Sequence, residues 1–260
     1  MKITKFGHAC VRVEHADGIL VIDPGEWTEP EAVAGADAVL VTHEHFDHID
    51  VRHLAGLDVP VCAPAGADIP GADFIEVSDG DDFVAAGFPV TAISSEHATV
   101  YGGQPVCPHL GYLLADALYH PGDALRVPGR PVRTLLLPVH ASWLKLAEAV
   151  DFAAAVQPRV SLGIHDSMVN ERALRSTERW LAKLTDGRYR QLSPGRVPVK
   201  TTSSAAECGF GERHGDVGES VKHRRPQPRT PVATRASRGS SATAPSGVSD
   251  TVSVEHQWAA

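Results

Sequence analysis

The segment Ala38–Asp50, "AVLVTHEHFDHID", constrains this chain more than any other. Ala38–Val41 is apolar without interruption and reads as a strand buried on both faces. It runs directly into His43, His45, Asp47 and His48. Side chains at i and i+2 of an extended segment share a face, so His43 and His45 can aim at one place. Two neutral imidazoles held in this way make half of a borderline-soft metal site. Asp47 and His48 follow as the chain turns and can face a second ion close by. A carboxylate and an imidazole beside two other imidazoles compete for protons unless cations fill the space. An exposed polar loop is the plain alternative, and the HxHxDH spacing disfavours it.

The rest of the first 195 residues is dense in short apolar runs. "ITKF", "CVRVEH" and "GILVID" predict an N-terminal meander of strands. "VRHLAGL" predicts a short helix and "VPVCAP" a strand. "FIEVSDGDDFVAAGFPVTAIS" predicts three strands joined by tight turns. "HLGYLLADALYH" predicts a hairpin turning at Ala115–Asp116, and "VRTLLLPVH" another strand. Helical periodicity then begins: Leu144, Leu146, Ala147, Val150, Ala154 and Val156 make an apolar face that ends before Pro158. "RVSLGIH" predicts a strand. A second helix starts at an Asn170 cap, with Ala173, Leu174, Trp180, Leu181 and Leu184 facing inward. "YRQL" predicts a last strand. Many strands followed by interleaved helices define an α+β class of layered sheets.

Residues 196–260 change character: they are rich in Ser, Thr, Arg, Gly and Pro, and poor in large aliphatics. Such a segment does not supply a core and is expected to be a disordered low-complexity tail. The abruptness of the switch also suits a frame-shifted or read-through extension. The domain reading is therefore 1–195 followed by a tail. The net charge of −8 lies in the acidic first part and argues against nucleic acid as a partner. Cys10, Cys62, Cys107 and Cys208 are scattered and form no CxxC pair, so free thiols in a reducing compartment are expected. Neither a signal peptide nor a membrane span is evident, and the chain reads as cytoplasmic.

Further histidines and acids close other apolar segments: Asp23 after "ILVI", His97 after "AISSE", His120 and Asp123 in "YHPGD", and His165 with Asp166 in "LGIHD". Sites are assembled from distant sequence at such strand ends. His97 could be a loop histidine, and Asp123 could simply begin a turn. A Gly beside an acid suits close backbone approach to an ion. His120 reads as supporting a ligand or packing a strand, Asp166 as supporting or capping, and Asp23 as structural or orienting a ligand. His140 either touches substrate or belongs to a plain loop. His8 and His109 are not assigned.

"THEHFDH" resembles the signature of the metallo-β-lactamase-fold hydrolases. "ILVIDPG", "ISSEHA", "YHPGD" and "LGIHD" extend the resemblance over most of residues 1–195. "LLLPVHASWLKLAEAVDFAAAVQP" resembles the small ascorbate-6-phosphate-lactonase-like branch. The resemblance implies a four-layer αββα sandwich with metals at one edge of the sheets. It implies that His43, His45 and His97 hold one ion, that Asp47, His48 and His165 hold the other, and that Asp123 bridges both. It implies hydrolysis of an ester, lactone, amide or phosphoester of a small molecule, with Asp47 relaying a proton. Two divalent ions are expected, zinc first, with manganese or iron also compatible with the donors. Two other functions share these residues: iron-dependent redox chemistry, and a non-catalytic metal-binding regulatory module. Self-association into a homo-oligomer is left open.

Overall fold

The computed structural model describes residues 1–104 and 106–194. The tail expected over 196–260 lies outside the described residues. The N-terminal runs form β1 (Lys2–Phe6), β2 (Cys10–His15) and β3 (Gly18–Ile22), paired antiparallel. β4 (Ala38–Leu40), β5 (Val61–Pro64) and β6 (Ile75–Val77) then add in parallel, completing a six-stranded sheet in sequence order.

The second sheet repeats this plan. β7 (Asp82–Ala85), β8 (Phe88–Ser94), β9 (Leu110–Leu114) and β10 (Leu118–His120) form an antiparallel meander. β11 (Thr134–Pro138), β12 (Val160–Ile164) and β13 (Tyr189–Gln191) extend it in parallel to seven strands. The β9–β10 hairpin turns at Ala115 and Asp116, both left-handed at φ 50° and 48°, which matches the twist of the flanking strands.

The alternation of side chains across each strand sorts the apolar residues into separate layers. Val13, Leu20 and Leu40 of the first sheet meet Val90, Tyr112, Leu114 and Leu136 of the second in the central core. Burying one such Leu contributes about 2 kcal/mol. The outer face of the second sheet is covered by α2 (Leu146–Val156) and α3 (Glu171–Leu184). The outer face of the first, with Val21, Val39 and Ala63, is covered by a 3-10 turn at Pro30–Val33, the one-turn α1 (Val51–Leu54) and loop residues such as Ile69. The fold is the expected α+β four-layer sandwich, with a thin outer layer on its first sheet.

Two helix faces differ from expectation. α2 buries Ala149, Phe152, Ala153 and Val156, while Ala147 and Ala154 are exposed. Phe152 is the bulkiest apolar side chain of the helix, and the buried stripe is centred on it. In α3 the Asn170 side chain accepts from the Ala173 amide at 3.0 Å, as its cap position predicts. Only Leu181 of that helix is buried, however, and Trp180 and Leu184 remain 49% and 50% exposed. α3 leans on β13, the short last strand of its sheet, which offers too little surface for a wider apolar face. Among the described residues no helix is long and apolar enough to cross a membrane, and Cys10, Cys62 and Cys107 are free thiols.

Candidate metal centre

The ends of strands from both sheets supply the cluster. His43, His45, Asp47 and His48 follow β4; His97 follows β8, Asp123 follows β10 and His165 follows β12. Asp23 follows β3, and His8 sits in the β1–β2 turn. The donor atoms of these residues fall into three overlapping groups, each with its atoms within 4.8 Å of one another: His43, His45 and His97; His43, His48 and Asp123; and His8, Asp47, His48 and His165. Asp123 faces both sides. Its Oδ1 lies 3.1 Å from His48 Nε2 and 3.2 Å from His165 Nε2, and its Oδ2 lies 3.5 Å from His97 Nε2. All seven residues carried over from the sequence resemblance therefore stand together.

Hydrogen bonding at the far side of each ring fixes which nitrogen is free. His48 Nδ1–H donates to Asp23 Oδ2 at 2.7 Å, His97 Nδ1–H to the Ala98 carbonyl at 2.6 Å, and His165 Nδ1–H to the His140 carbonyl at 2.5 Å. His43 Nδ1–H reaches the Thr42 hydroxyl at 3.0 Å, and that hydroxyl in turn donates to Asp23 Oδ2 at 2.7 Å. In every case the Nε2 lone pair is left pointing into the cluster. His48 Nε2, His97 Nε2, His165 Nε2 and Asp123 Oδ1 are buried there without a hydrogen-bond partner. Buried polar atoms without partners are rare and costly, so four converging on one space call for a cation. The donor set, imidazole with carboxylate, fits a divalent ion of the zinc, manganese or iron kind.

Asp23 and His165 hold their positions through unusual backbone. Both are left-handed non-glycine residues, at φ 53° and 58°, a conformation that costs of order 1–3 kcal/mol. Asp23 is offset by three acceptor contacts, from the Thr42 amide, the Thr42 hydroxyl and His48, each at 2.7 Å. Asp166, next to His165, is bonded by the fully buried Lys5 ammonium and by Gln191 Nε2. Asp166 thus anchors the strained turn from behind.

The remaining candidates divide by contact. His120 is saturated: Nε2–H donates to the Ala9 carbonyl at 3.1 Å and Nδ1 accepts from the Gly122 amide at 3.1 Å. It is a structural histidine. His140 reaches the cluster through its carbonyl, whereas its ring is half-buried. Gly122, φ 59°, has a packing requirement: a Cβ there would lie 2.4 Å from His109 Nε2 and 2.9 Å from the Thr42 side chain.

Two histidines left unassigned by sequence, His8 and His109, also reach the site, as does Trp143, which the sequence offers as a pocket wall or a staple at the helix start. His109 Nε2 accepts the Asp123 amide at 2.9 Å, and Trp143 Nε1–H donates to Asp123 Oδ2 at 3.1 Å. His8 Nδ1 accepts the Ser167 amide at 3.1 Å, so its Nε2 carries the proton and faces Asp47 Oδ2 at 3.3 Å. The tautomer separates His8 from His48, His97 and His165, whose Nδ1 is the bonded nitrogen. The only sequence signal for His8 is its place at a strand end after Gly7.

Electrostatics follow the same division. Burial pushes His43 well below its ordinary range, His8 to about 4 and His109 to about 3. Burial also disfavours charge on His48 and His165, yet Asp123, helped by Asp23 at His48 and by Asp47 at His165, raises both. Burial works against ionised Asp47, and the neighbouring His8 and His48 overcome it, bringing Asp47 down to about 2. The carboxylates of Asp23, Asp47 and Asp123 thus favour positive charge at the centre, which a cation would supply.

Two mixed sheets with a histidine–aspartate donor cluster at their edge define a protein of the metallo-β-lactamase fold. The chain belongs to the beta-lactamase superfamily, whose domain model matches residues 2–165. Protein Rv0786c of Mycobacterium tuberculosis is 38% identical over 181 residues, covering 65% of this chain and 85% of the relative. A UPF0173 metal-dependent hydrolase of Xanthobacter autotrophicus is 32% identical over 152 residues, covering 50% and 59%. Among solved structures, the metallo hydrolase Igni18 of Ignicoccus hospitalis superposes with a TM-score of 0.59 at 17% identity, covering 76% of this chain and 97% of that one. CmlA, a diiron β-hydroxylase of Streptomyces venezuelae, gives 0.61 at 14% identity, covering 76% and 53%. At these identities the two structures are alike in fold alone.

Proposed function

We propose that the protein is a metal-dependent hydrolase with a dinuclear centre, acting on an ester, lactone, amide or phosphoester of a small molecule. The observation that carries this reading is the convergence of unpartnered buried atoms, with the opposite nitrogen of His48, His97 and His165 already bonded. His43, His45 and His97 would hold one ion, Asp47, His48 and His165 the other, and Asp123 would face both. Bound there, the ions supply Lewis acidity, making a water nucleophilic near neutral pH and drawing charge from the group under attack. Zinc suits the donors best, with manganese or iron as alternatives.

The chain's own residues do the rest. Asp47, ionised and grouped with His8, His48 and His165, orients the water and takes its proton as the new bond to the acyl or phosphoryl centre forms. It returns that proton to the departing oxygen or nitrogen as the old bond breaks. His8 Nε2, 3.3 Å from Asp47 Oδ2 and otherwise unpartnered, would steady that carboxylate on closer alignment. His109 and Trp143 fix Asp123 from its backbone and its Oδ2.

The test is metal quantification of the purified protein, then a screen of lactones, phosphodiesters and acyl esters beside His45→Ala and Asp47→Ala. Hydrolysis that persists unchanged in both variants rules out the dinuclear reading. The same imidazole and carboxylate donors also suit iron, which leaves a second reading, iron-dependent oxidation. Stoichiometric iron with oxygen consumption would carry it. Free thiols at Cys10, Cys62 and Cys107 support a reducing, cytoplasmic setting.

A further inference from the structure

From the make-up of the site's rim we infer that the substrate is an uncharged ester, lactone or amide carrying an apolar chain or ring, and not a phosphorylated compound. This rests on the hydrolase reading above and narrows it. The loops that bring the donors together are residues 7–9, 23–28, 42–50, 94–109, 120–125, 139–144 and 165–170. None of them contains a Lys or an Arg. Lys5 is fully buried and committed to Asp166. Arg52 forks onto Asp50 and reaches Glu26 at 3.8 Å. The same loops carry Glu26, Glu44 and Glu96.

Phosphate recognition away from a metal relies on Arg or Lys forks and on clefts of positive potential. On these described loops the side-chain charge is negative, so a phosphate carried away from the reacting group would face Glu26, Glu44 and Glu96 there. A neutral substrate carries no such penalty.

What the loops offer instead is apolar surface. Phe46 stands between His45 and Asp47 in sequence and is 41% exposed, with its ring 5.4 Å from that of Trp27 in edge contact. Trp27 in turn stands edge-on to His8 at 4.9 Å. Across the cluster, the Trp143 ring lies 6.1 Å from His165. Tyr101 on the His97 loop is 80% exposed, and Met168, three residues after His165, is 53% exposed. Large apolar side chains held in water on loop after loop around one centre mark a binding surface. Beside the histidine loop lies a cleft of about 360 Å³ in which Phe46, Ile49 and Ile69 form the apolar side and acidic residues with Arg52 form the other.

The test uses the full chain loaded with zinc and a series of p-nitrophenyl esters from acetyl to decanoyl, with lactones of matching tail length and a p-nitrophenyl phosphodiester. kcat/KM is expected to rise about fourfold per methylene until the surface is filled, and the phosphodiester should be the poorest substrate. Phe46→Ser and Tyr101→Ser should each lower the ratio of long-chain to short-chain kcat/KM. A flat chain-length profile, or a preference for the phosphodiester, overturns the inference. Binding of decanol, followed by tryptophan fluorescence, gives a second readout that needs no turnover. It should shift the emission of the wild type, and the shift should be lost in Trp27→Phe combined with Trp143→Phe. A shift that survives the double change, or no shift at all, also overturns the inference. If no compound is hydrolysed the hydrolase reading falls, while the decanol measurement still decides whether the rim is an apolar binding surface.

Discussion

His48 Nδ1 and Asp23 Oδ2 lie 2.7 Å apart, and both side chains are fully buried. This contact fixes the tautomer of His48 and points its Nε2 at Asp123. Partners of this kind raise ligand basicity, and losing one costs about 10- to 100-fold in metal affinity. Asp23→Asn keeps a residue that tolerates the left-handed φ and removes the charge. It should bind zinc about 10- to 100-fold more weakly in a chelator competition, and an unchanged affinity would sink this role.

His8 is expected to act through Asp47. His8→Phe keeps a ring between Trp27 and His165 but removes the Nε2–H donor. A hydrogen bond to a charged group is worth about 1.5–3 kcal/mol, so kcat should fall about tenfold to a hundredfold with KM little changed. Zinc content should remain that of the wild type. A drop in KM affinity or zinc content without a drop in kcat would assign His8 to packing instead.

His109 gives a pH signature. Its folded pKa is depressed by burial to about 3, while the unfolded imidazole titrates near 6.5. The unfolded chain therefore binds the extra proton between these values, and stability falls as pH drops below about 6.5. The loss from this one group approaches about 1.4 kcal/mol per pH unit before levelling near pH 3. His109→Gln should show a shallower acid loss than the wild type in urea unfolding between pH 6.5 and about 4. Parallel profiles would refute the assignment.

The Lys5–Asp166 pair ties the first sheet to the turn of His165. Lys5→Met leaves Asp166 buried without its cation and should cost about 3–5 kcal/mol in denaturant unfolding. Lys5→Met with Asp166→Asn should recover much of that loss. If the double variant is no more stable than the single one, the cost lies in packing and not in the unpaired charge.

The strand pattern was legible because a two-residue period and turn residues are local properties. The Ala115–Asp116 hairpin and the Asn170 cap are examples, each set by a few neighbouring residues. The helix faces were less legible. Ala147 and Ala154 share the hydrophobicity of Ala149 and Ala153, and only the sheet beneath selects which pair is buried. Trp180 and Leu184 look like core residues until the sheet ends before reaching them.

The sequence by itself determined the kind of chemistry available and where along the chain it is carried. HxHxDH after an apolar strand, and single histidines or acids after later strands, are readable because ligand spacing is a local constraint. Tertiary structure decided what could not be local. It brought His8 to Asp47 and His109 and Trp143 to Asp123, contacts between residues far apart in the chain. It also set the tautomers, since the partner of each ring is a carbonyl, hydroxyl or carboxylate delivered by another loop. A histidine's type is written in the chain, but which of its nitrogens is free depends on what the folded backbone places behind it.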